Sequence, residues 1–246
     1  MRIVVFWPKP ALTHLRTEII AQLGYLLKAM LYLTQYCAKT GKFTEHAKVI
    51  TINVNGFRSR QAEIKRFLEH LGDNCILALT DTRLKTDIEI SNLHSYSMIR
   101  QDRTLTSSMA TAGGVALIVP KRWACVRVPL SARGDNFEAM AVVPLPPDSN
   151  SQPFKLLCIY DHPGNYFPPT IISDFKNKTF NGKAIGGLIV GDMNCPHAAF
   201  GSQTTNEFGL CLLQTLNQED LIYYNPGSPT YYRNAAGLSN TLQNKA

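Results

Sequence analysis

Two hydrophobic periods alternate along this chain from Lys48 onward. Val49–Val54 is an apolar run of strand type that ends at Asn55-Gly56, a turn dipeptide. Next, Ile64, Phe67, Leu68 and Leu71 fall at i, i+3, i+4 and i+7, which predicts a helix with Ser59 as its cap. Cys75–Thr80 is a second apolar strand, and Tyr96–Ile99, Val115–Val119, Ala139–Val143 and Phe154–Tyr160 are further strand candidates. Gly187–Val190 is another, of buried type. Thr204 and Glu207 have capping-box spacing ahead of Phe208, Leu212, Leu213 and Leu216 on one helical face. Leu221–Tyr223 and Thr230–Tyr232 are late strand candidates. The pattern is α/β or α+β, with too many strands for one small open sheet.

The stretch before Lys48 reads differently. Between Glu18 and Tyr36, Ile19, Ile20, Leu23, Leu26, Leu27, Met30, Leu31 and Leu33 form a helical apolar face, which predicts a helix over 19–33. Glu18, Gln22, Lys28 and Gln35 interrupt it, which argues against a membrane span. No cleavage site follows a short apolar core, which argues against a signal peptide. The helix is expected to pack on the body or on a partner; a membrane-surface helix and an artefact of gene prediction are the alternatives. Residues 1–46 are thus expected to be an extra helical segment, and 47–246 the main domain.

Composition narrows this modestly. A chain of 246 residues with 45% hydrophobic residues buries one substantial core. Residues 1–48 hold seven Lys/Arg against two Asp/Glu, a net +5, while the remainder holds eighteen against sixteen, a net +2. The body is nearly balanced, so overall basicity says little about a polyanionic partner. The six cysteines, at 37, 75, 125, 158, 195 and 211, form no CxxC pair. They read as reduced thiols of an intracellular protein, in the nucleus or cytoplasm, and not as a zinc site.

Candidate chemistry gathers at strand ends. Gly191-Asp192-Met193-Asn194 follows the Gly187–Val190 run; alternate strand residues point the same way, so a hard acid and an amide two positions apart can converge on one ligand. Asn53, Asp81 and Tyr160 end three other apolar runs. Taken singly, each has a plain structural reading: a turn cap, a loop start, a rim aromatic.

Taken in order, these segments resemble the endonuclease/exonuclease/phosphatase family. Within it they are most similar to the apurinic-type endonuclease domain of non-LTR retrotransposons, of the jockey-like and long-interspersed kinds. Thr51–Phe57 is similar to the family's first strand, whose active-site Asn falls at Asn53. Leu79–Leu84 is similar to the second, placing Asp81 where the family has a metal-binding Glu. Arg100–Arg103 and Gly113–Val119 resemble the basic turn and following strand, and Ile159–Asn165 the stretch with the active-site Tyr, here Tyr160. Gly191–Ser202 resembles the most specific motif, down to His197, and Asn225–Thr230 the entry to the last catalytic strands. The resemblance spans about residues 48–243. It implies a four-layer α/β/β/α sandwich of two packed mixed sheets.

The implied activity is hydrolysis of a phosphodiester in duplex DNA with Mg²⁺ or Mn²⁺, nicking target DNA for retrotransposon insertion. No membrane and no small-molecule cofactor are expected. Asp81 would hold the metal; Asn53 and Asn194 would hold phosphate oxygens or water; Asp192 would orient or deprotonate the water; Tyr160 would donate to the phosphate. Arg100, Arg103, His197 and Thr230 would bind substrate, with Lys121 and Arg122 as further backbone contacts.

Three departures bear on turnover. Asp81 is one methylene shorter than Glu, Gln243 stands where the family has an Asp, and no His follows His197. The last strands are therefore expected to be missing, as in a fragment or decayed copy, with nicking below easy detection. The competing readings are a nucleic-acid-binding remnant without turnover and a phosphatase of the same superfamily.

Overall fold

A computed structural model describes residues 4–7, 32–35, 48–71, 75–85, 93–103, 113–131, 137–147, 153–164, 168–183 and 185–224. Its architecture rests on two parallel βαβ crossovers. In the first, β3 (Lys48–Asn53) leads through α1 (Phe57–Leu71) to β4 (Cys75–Thr80), with Lys48 opposite Cys75 and Asn53 opposite Thr80. In the second, β9 (Lys155–Asp161) leads through α2 (Thr170–Asn177) to β10 (Gly187–Asp192), with Lys155 opposite Gly187 and Tyr160 opposite Asp192. A parallel pair needs such a crossover, and the helix covers one face of its sheet.

Antiparallel strands extend each pair. β5 (Tyr96–Gln101) and β6 (Val115–Pro120) join the first, and β7 (Ala124–Val128) and β8 (Phe137–Leu145) the second. Two further strands come from the N-terminal stretch: β1 (Val4–Trp7) pairs with β10 and with β11 (Ile222–Tyr224), and β2 (Tyr32–Gln35) pairs with β3. Among the described residues the sheets run β11-β1-β10-β9-β8-β7 and β2-β3-β4-β6-β5.

Three cores fix the layers. Between the sheets, Val49, Ile76, Ala78, Val115 and Leu117 meet Met140, Val142, Leu156, Cys158, Leu188 and Val190. On the outer face of the β3 sheet, Phe57, Ile64, Phe67 and Leu68 of α1 pack on Ile50, Leu77, Leu79 and Ile118. Outside the other sheet, Ile171, Ile172 and Phe175 of α2, with Leu212 and Leu216 of α3 (Glu207–Gln218), pack on Leu157, Ile159 and Ile189. The alternation along each strand sends odd residues to one core and even residues to the other. The result is the expected α/β/β/α sandwich.

Several local expectations need correction. The helix read over 19–33 does not hold at its end, because Tyr32 and Leu33 begin β2; most of that stretch lies outside the described residues. The backbone there pairs antiparallel with β3, Tyr32 opposite Thr51 and Leu33 opposite Ile50. Ser59 does not cap α1. The helix starts two residues earlier, and the Ser59 hydroxyl donates back to the Gly56 carbonyl. Asn206, not Thr204, caps α3, its side chain accepting from the Gly209 amide at 2.8 Å. Thr230–Tyr232 lies outside the described residues. No described helix is long and apolar enough to cross a membrane.

Candidate functional site

The register places several strand ends together. Parallel pairing sets the C-termini of β3 and β4 side by side, and those of β9 and β10 side by side. The sheets are joined at this end by a hydrogen bond between residues 139 positions apart: Asn53 Nδ2 donates to Asp192 Oδ2 at 2.9 Å. Asn53 Oδ1 accepts from the Asn55 amide at 3.1 Å, which fixes which way its amide points.

Gly191 permits the β10 end. It has φ +146°, and a Cβ there would lie 1.9 Å from the Ile159 carbonyl oxygen of β9. The strand stops at Asp192, and Asn194 turns into the left-handed region at φ +46°. The alternation that would aim Asn194 with Asp192 therefore fails. Met193 enters the core beneath α2 and α3, and Asn194 Nδ2 donates to the Asp161 carbonyl at 2.6 Å. Asn194 ties the loop to the end of β9.

Asp81 sits in a turn at φ +53° and is 4% exposed. Its Oδ1 accepts from the Gly113 amide at 2.8 Å and from Arg83 Nε at 3.3 Å; its Oδ2 accepts from Arg83 Nη2 at 3.1 Å. The Gly113-Gly114 backbone comes this close because a Cβ on Gly113 would lie 2.9 Å from Glu138 Oε2. Gly114 donates its amide to that same oxygen at 3.0 Å.

Tyr160 is buried in the middle of these groups. Burial first, then the charges of Asp81, Asp192 and Glu138, push its phenol above the usual range; Arg83 partly opposes them. The hydroxyl stays protonated and is a donor, not a nucleophile. His162 stacks edge-on to the Tyr160 ring, with centroids 4.9 Å apart, and its Nε2 lies 3.1 Å from both Glu138 carboxylate oxygens. Arg103 closes the group, with Nη1 3.4 Å from His162 Nδ1 and Nε 3.9 Å from Glu138.

Asp161 is an outlier. It is fully buried, and neither carboxylate oxygen makes a well-formed hydrogen bond among the described residues. Burial raises its pKa to about 7; the His162 amide lowers it in part, and Asp192 and Glu138 raise it further. Cys195, on the same face, has its thiol pushed up to about 12 by burial and by the Asp161 charge, so it is inert.

The remaining sequence candidates fall out as follows. Arg100 bridges Asp102 at 3.2 Å and donates to the Lys85 carbonyl, at the same end as Asp81. His197 is a loop-shaping residue: its Nδ1 accepts from the Ala199 amide at 2.9 Å, and its ring packs on Phe200. Lys121 and Arg122 follow the C-terminus of β6, which antiparallel pairing puts at the opposite end from Asp81. Thr230 and Gln243 lie outside the described residues. Arg83, Glu138, Asp161 and His162 were missed. Glu138 is the second residue of β8 and His162 precedes a Pro; the register of β8 on β9, Glu138 opposite Tyr160, reveals their place, while Arg83 is brought in by the turn after Asp81.

The Asp81 carboxylate, expected to hold Mg²⁺, is already engaged by nitrogen donors. Among the described residues no group of three or more His, Cys, Asp and Glu is placed to hold a metal ion. Mg²⁺ binds through oxygen ligands in near-octahedral geometry, so it would have to take Asp81 oxygens that now accept from three N–H donors.

No family model and no curated protein matches the sequence. Among solved structures the chain is similar to the endonuclease domain of TRAS1, a telomere-specific non-LTR retrotransposon. The TM-score is 0.50 at 15% identity, over 69% of this chain and 70% of that one. It is also similar to the Xenopus laevis APE2 catalytic domain, with a TM-score of 0.46 at 14% identity over 69% and 66%. At 15% identity the likeness to the TRAS1 domain is one of fold.

Proposed function

We propose that this chain is a phosphodiester-cleaving, nuclease-type domain that acts on duplex DNA at the strand-end cleft of Asn53, Asp81, Tyr160 and Asp192. The observation that carries the reading is the Asn53–Asp192 hydrogen bond across the two sheets. It holds a carboxylate beside an amide and a protonated phenol, at the end where the resemblance sets the scissile phosphate. The TRAS1 endonuclease domain, with which the fold is shared, supports the substrate class.

Each group has a fitting task. Asp192 orients the attacking water and takes its proton. The Asn53 amide keeps Asp192 in place, and the Tyr160 hydroxyl donates to a phosphate oxygen as negative charge develops there. The carboxylates of Asp81, Asp192 and Glu138 would repel a phosphate, so cations must face it. Arg83 and Arg103 lie among them. No step here passes through a metal ion, because Asp81 as arranged offers nitrogen donors the face that a metal would need.

The reading as a binding domain without turnover draws on one observation, the same Arg83–Asp81 pair, which fills the carboxylate expected to hold a metal. The discriminating experiment offers the protein a labelled DNA duplex, the duplex in the presence of excess competitor, and a phosphoinositide head group. Strand scission of the duplex supports the proposal. Release of phosphate from the head group alone favours the phosphatase alternative, and salt-sensitive binding without scission favours the remnant.

A further inference from the structure

We propose that Arg83 is a resident cation of the cleft: its guanidinium occupies the face of Asp81 that a divalent ion would need, so that metal binding competes with the Arg83–Asp81 pair. The inference concerns the cleft of the proposed function, but its test does not depend on turnover.

The geometry is that of a fork. Arg83 Nε and Nη2 meet the two Asp81 oxygens at 3.3 and 3.1 Å, the bidentate arrangement in which guanidinium and carboxylate fit best. The same Nη2 also bonds Asn55 Oδ1, which ties the guanidinium to the turn after β3 as well. The Gly113 amide takes a further lone pair on Asp81 Oδ1. A carboxylate has about four lone-pair sites, so three N–H donors leave room for little else.

The backbone arranges this. Asp81 and Arg83 both have φ +53°, so the turn curls and brings a side chain two positions away back over the carboxylate. A left-handed φ is uncommon for an arginine and is kept only where surrounding contacts impose it. Here the Arg83 amide donates to the Gly113 carbonyl at 2.7 Å, and Phe57 and Gly56 donate to the Thr82 and Asp81 carbonyls. Asp81 being one C–C bond shorter than Glu, roughly 1.5 Å, keeps its carboxylate within the fork's reach. A divalent ion entering this site would have to displace the guanidinium or share the carboxylate with it against like-charge repulsion.

The Arg83 side chain is 40% exposed while Asp81 is 6% exposed. The pair therefore presents a cation outward and hides its anion. That polarity suits a phosphate oxygen of a nucleic-acid backbone, which can be met with no metal present.

The test is direct Mn²⁺ binding, by calorimetry or by loss of the free-ion spin-resonance signal, on the full chain. Arg83→Gln should bind Mn²⁺ at least tenfold more tightly than the wild type, and Arg83→Gln with Asp81→Asn should lose the gain. Asn55→Gly keeps a left-handed backbone position comfortable while removing one anchor of the guanidinium. It should tighten Mn²⁺ severalfold, and it stands in if Arg83→Gln lowers the melting temperature sharply. Unchanged or weaker Mn²⁺ binding in both variants overturns the proposal. A gain in Mn²⁺ affinity with no DNA scission by any variant would leave this inference standing and sink the nuclease reading instead.

Discussion

Asn53 of β3 and Asp192 of β10 lie in different sheets and are joined by a 2.9 Å hydrogen bond from amide to carboxylate. The bond ties the two sheets together at this end. Replacing Asn53 with Asp would set two carboxylates at that distance. Like charges this close at a part-buried position are strongly unfavourable, so Asn53→Asp should destabilise the fold by about 2 kcal/mol or more above pH 6, while Asn53→Ala costs about 1 kcal/mol. Denaturant melts of both variants check this; equal losses would mean that the bond does not hold the sheets.

The buried carboxyl of Asp161 predicts an unusual pH dependence. Its folded pKa is raised, to about 7 from 3.8, so the folded state holds the proton that the unfolded state releases. Its favourable contribution is complete below pH 4 and is lost as pH rises towards and through 7. At about 1.4 kcal/mol per pKa step, the loss approaches roughly 4 kcal/mol. Asp161→Asn should therefore be more stable than the wild type at pH 8, with a flatter profile between pH 4 and 8. Melts at pH 5 and 8 give the readout, and a wild type that gains stability across this window, with no effect of Asp161→Asn, would contradict it.

Lys155 makes a different test. It is fully buried, and its Nζ donates to the carbonyls of Phe175 and Lys176, both at 2.9 Å, and of Lys178. Those groups lie at the C-terminal end of α2, where the Phe175 carbonyl has one further donor, the Lys178 amide, and the last carbonyls of a helix lack intrahelical partners. Lys155→Met keeps the stem's volume and strands the carbonyls, so about 1–3 kcal/mol should be lost. Hydrogen exchange should rise first in α2.

Topology sorts the surface cations. Arg58 and Lys85 lie at the end that holds Asp81, since Phe57 donates to the Thr82 carbonyl and Arg100 to the Lys85 carbonyl. Lys121 and Arg122 lie at the other end. Arg58→Ala with Lys85→Ala should weaken duplex binding and lower the salt slope by roughly 1–2, while Lys121→Ala with Arg122→Ala leaves both nearly unchanged. Fluorescence anisotropy across a salt series distinguishes the pairs.

Much of the fold was legible where periodicity and burial agree. Cys75–Thr80 is buried at every position and matches its expected bounds, and α1 follows from Ile64, Phe67 and Leu68. α2 escaped because its eight residues give little more than two turns of pattern, and β7 because most of its positions are exposed, Val126 at 43%. At the site, Asn53, Asp81, Tyr160 and Asp192 could be placed together because each ends an apolar run. Asn194 could not be followed, since its backbone leaves the strand at φ +46°. Glu138 and His162 were invisible because their partners come from across the sheet, a register that no local pattern encodes.

The central claim is that Asp192, held by Asn53, supports DNA scission. The direct measurement is conversion of supercoiled plasmid to open circle with protein in excess, followed over hours, with and without Mn²⁺. The account predicts slow nicking by the wild-type chain, reduced by about 10²-fold or more in Asp192→Ala, while that variant still binds duplex. No nicking at all, or nicking that Asp192→Ala leaves unchanged, would contradict it.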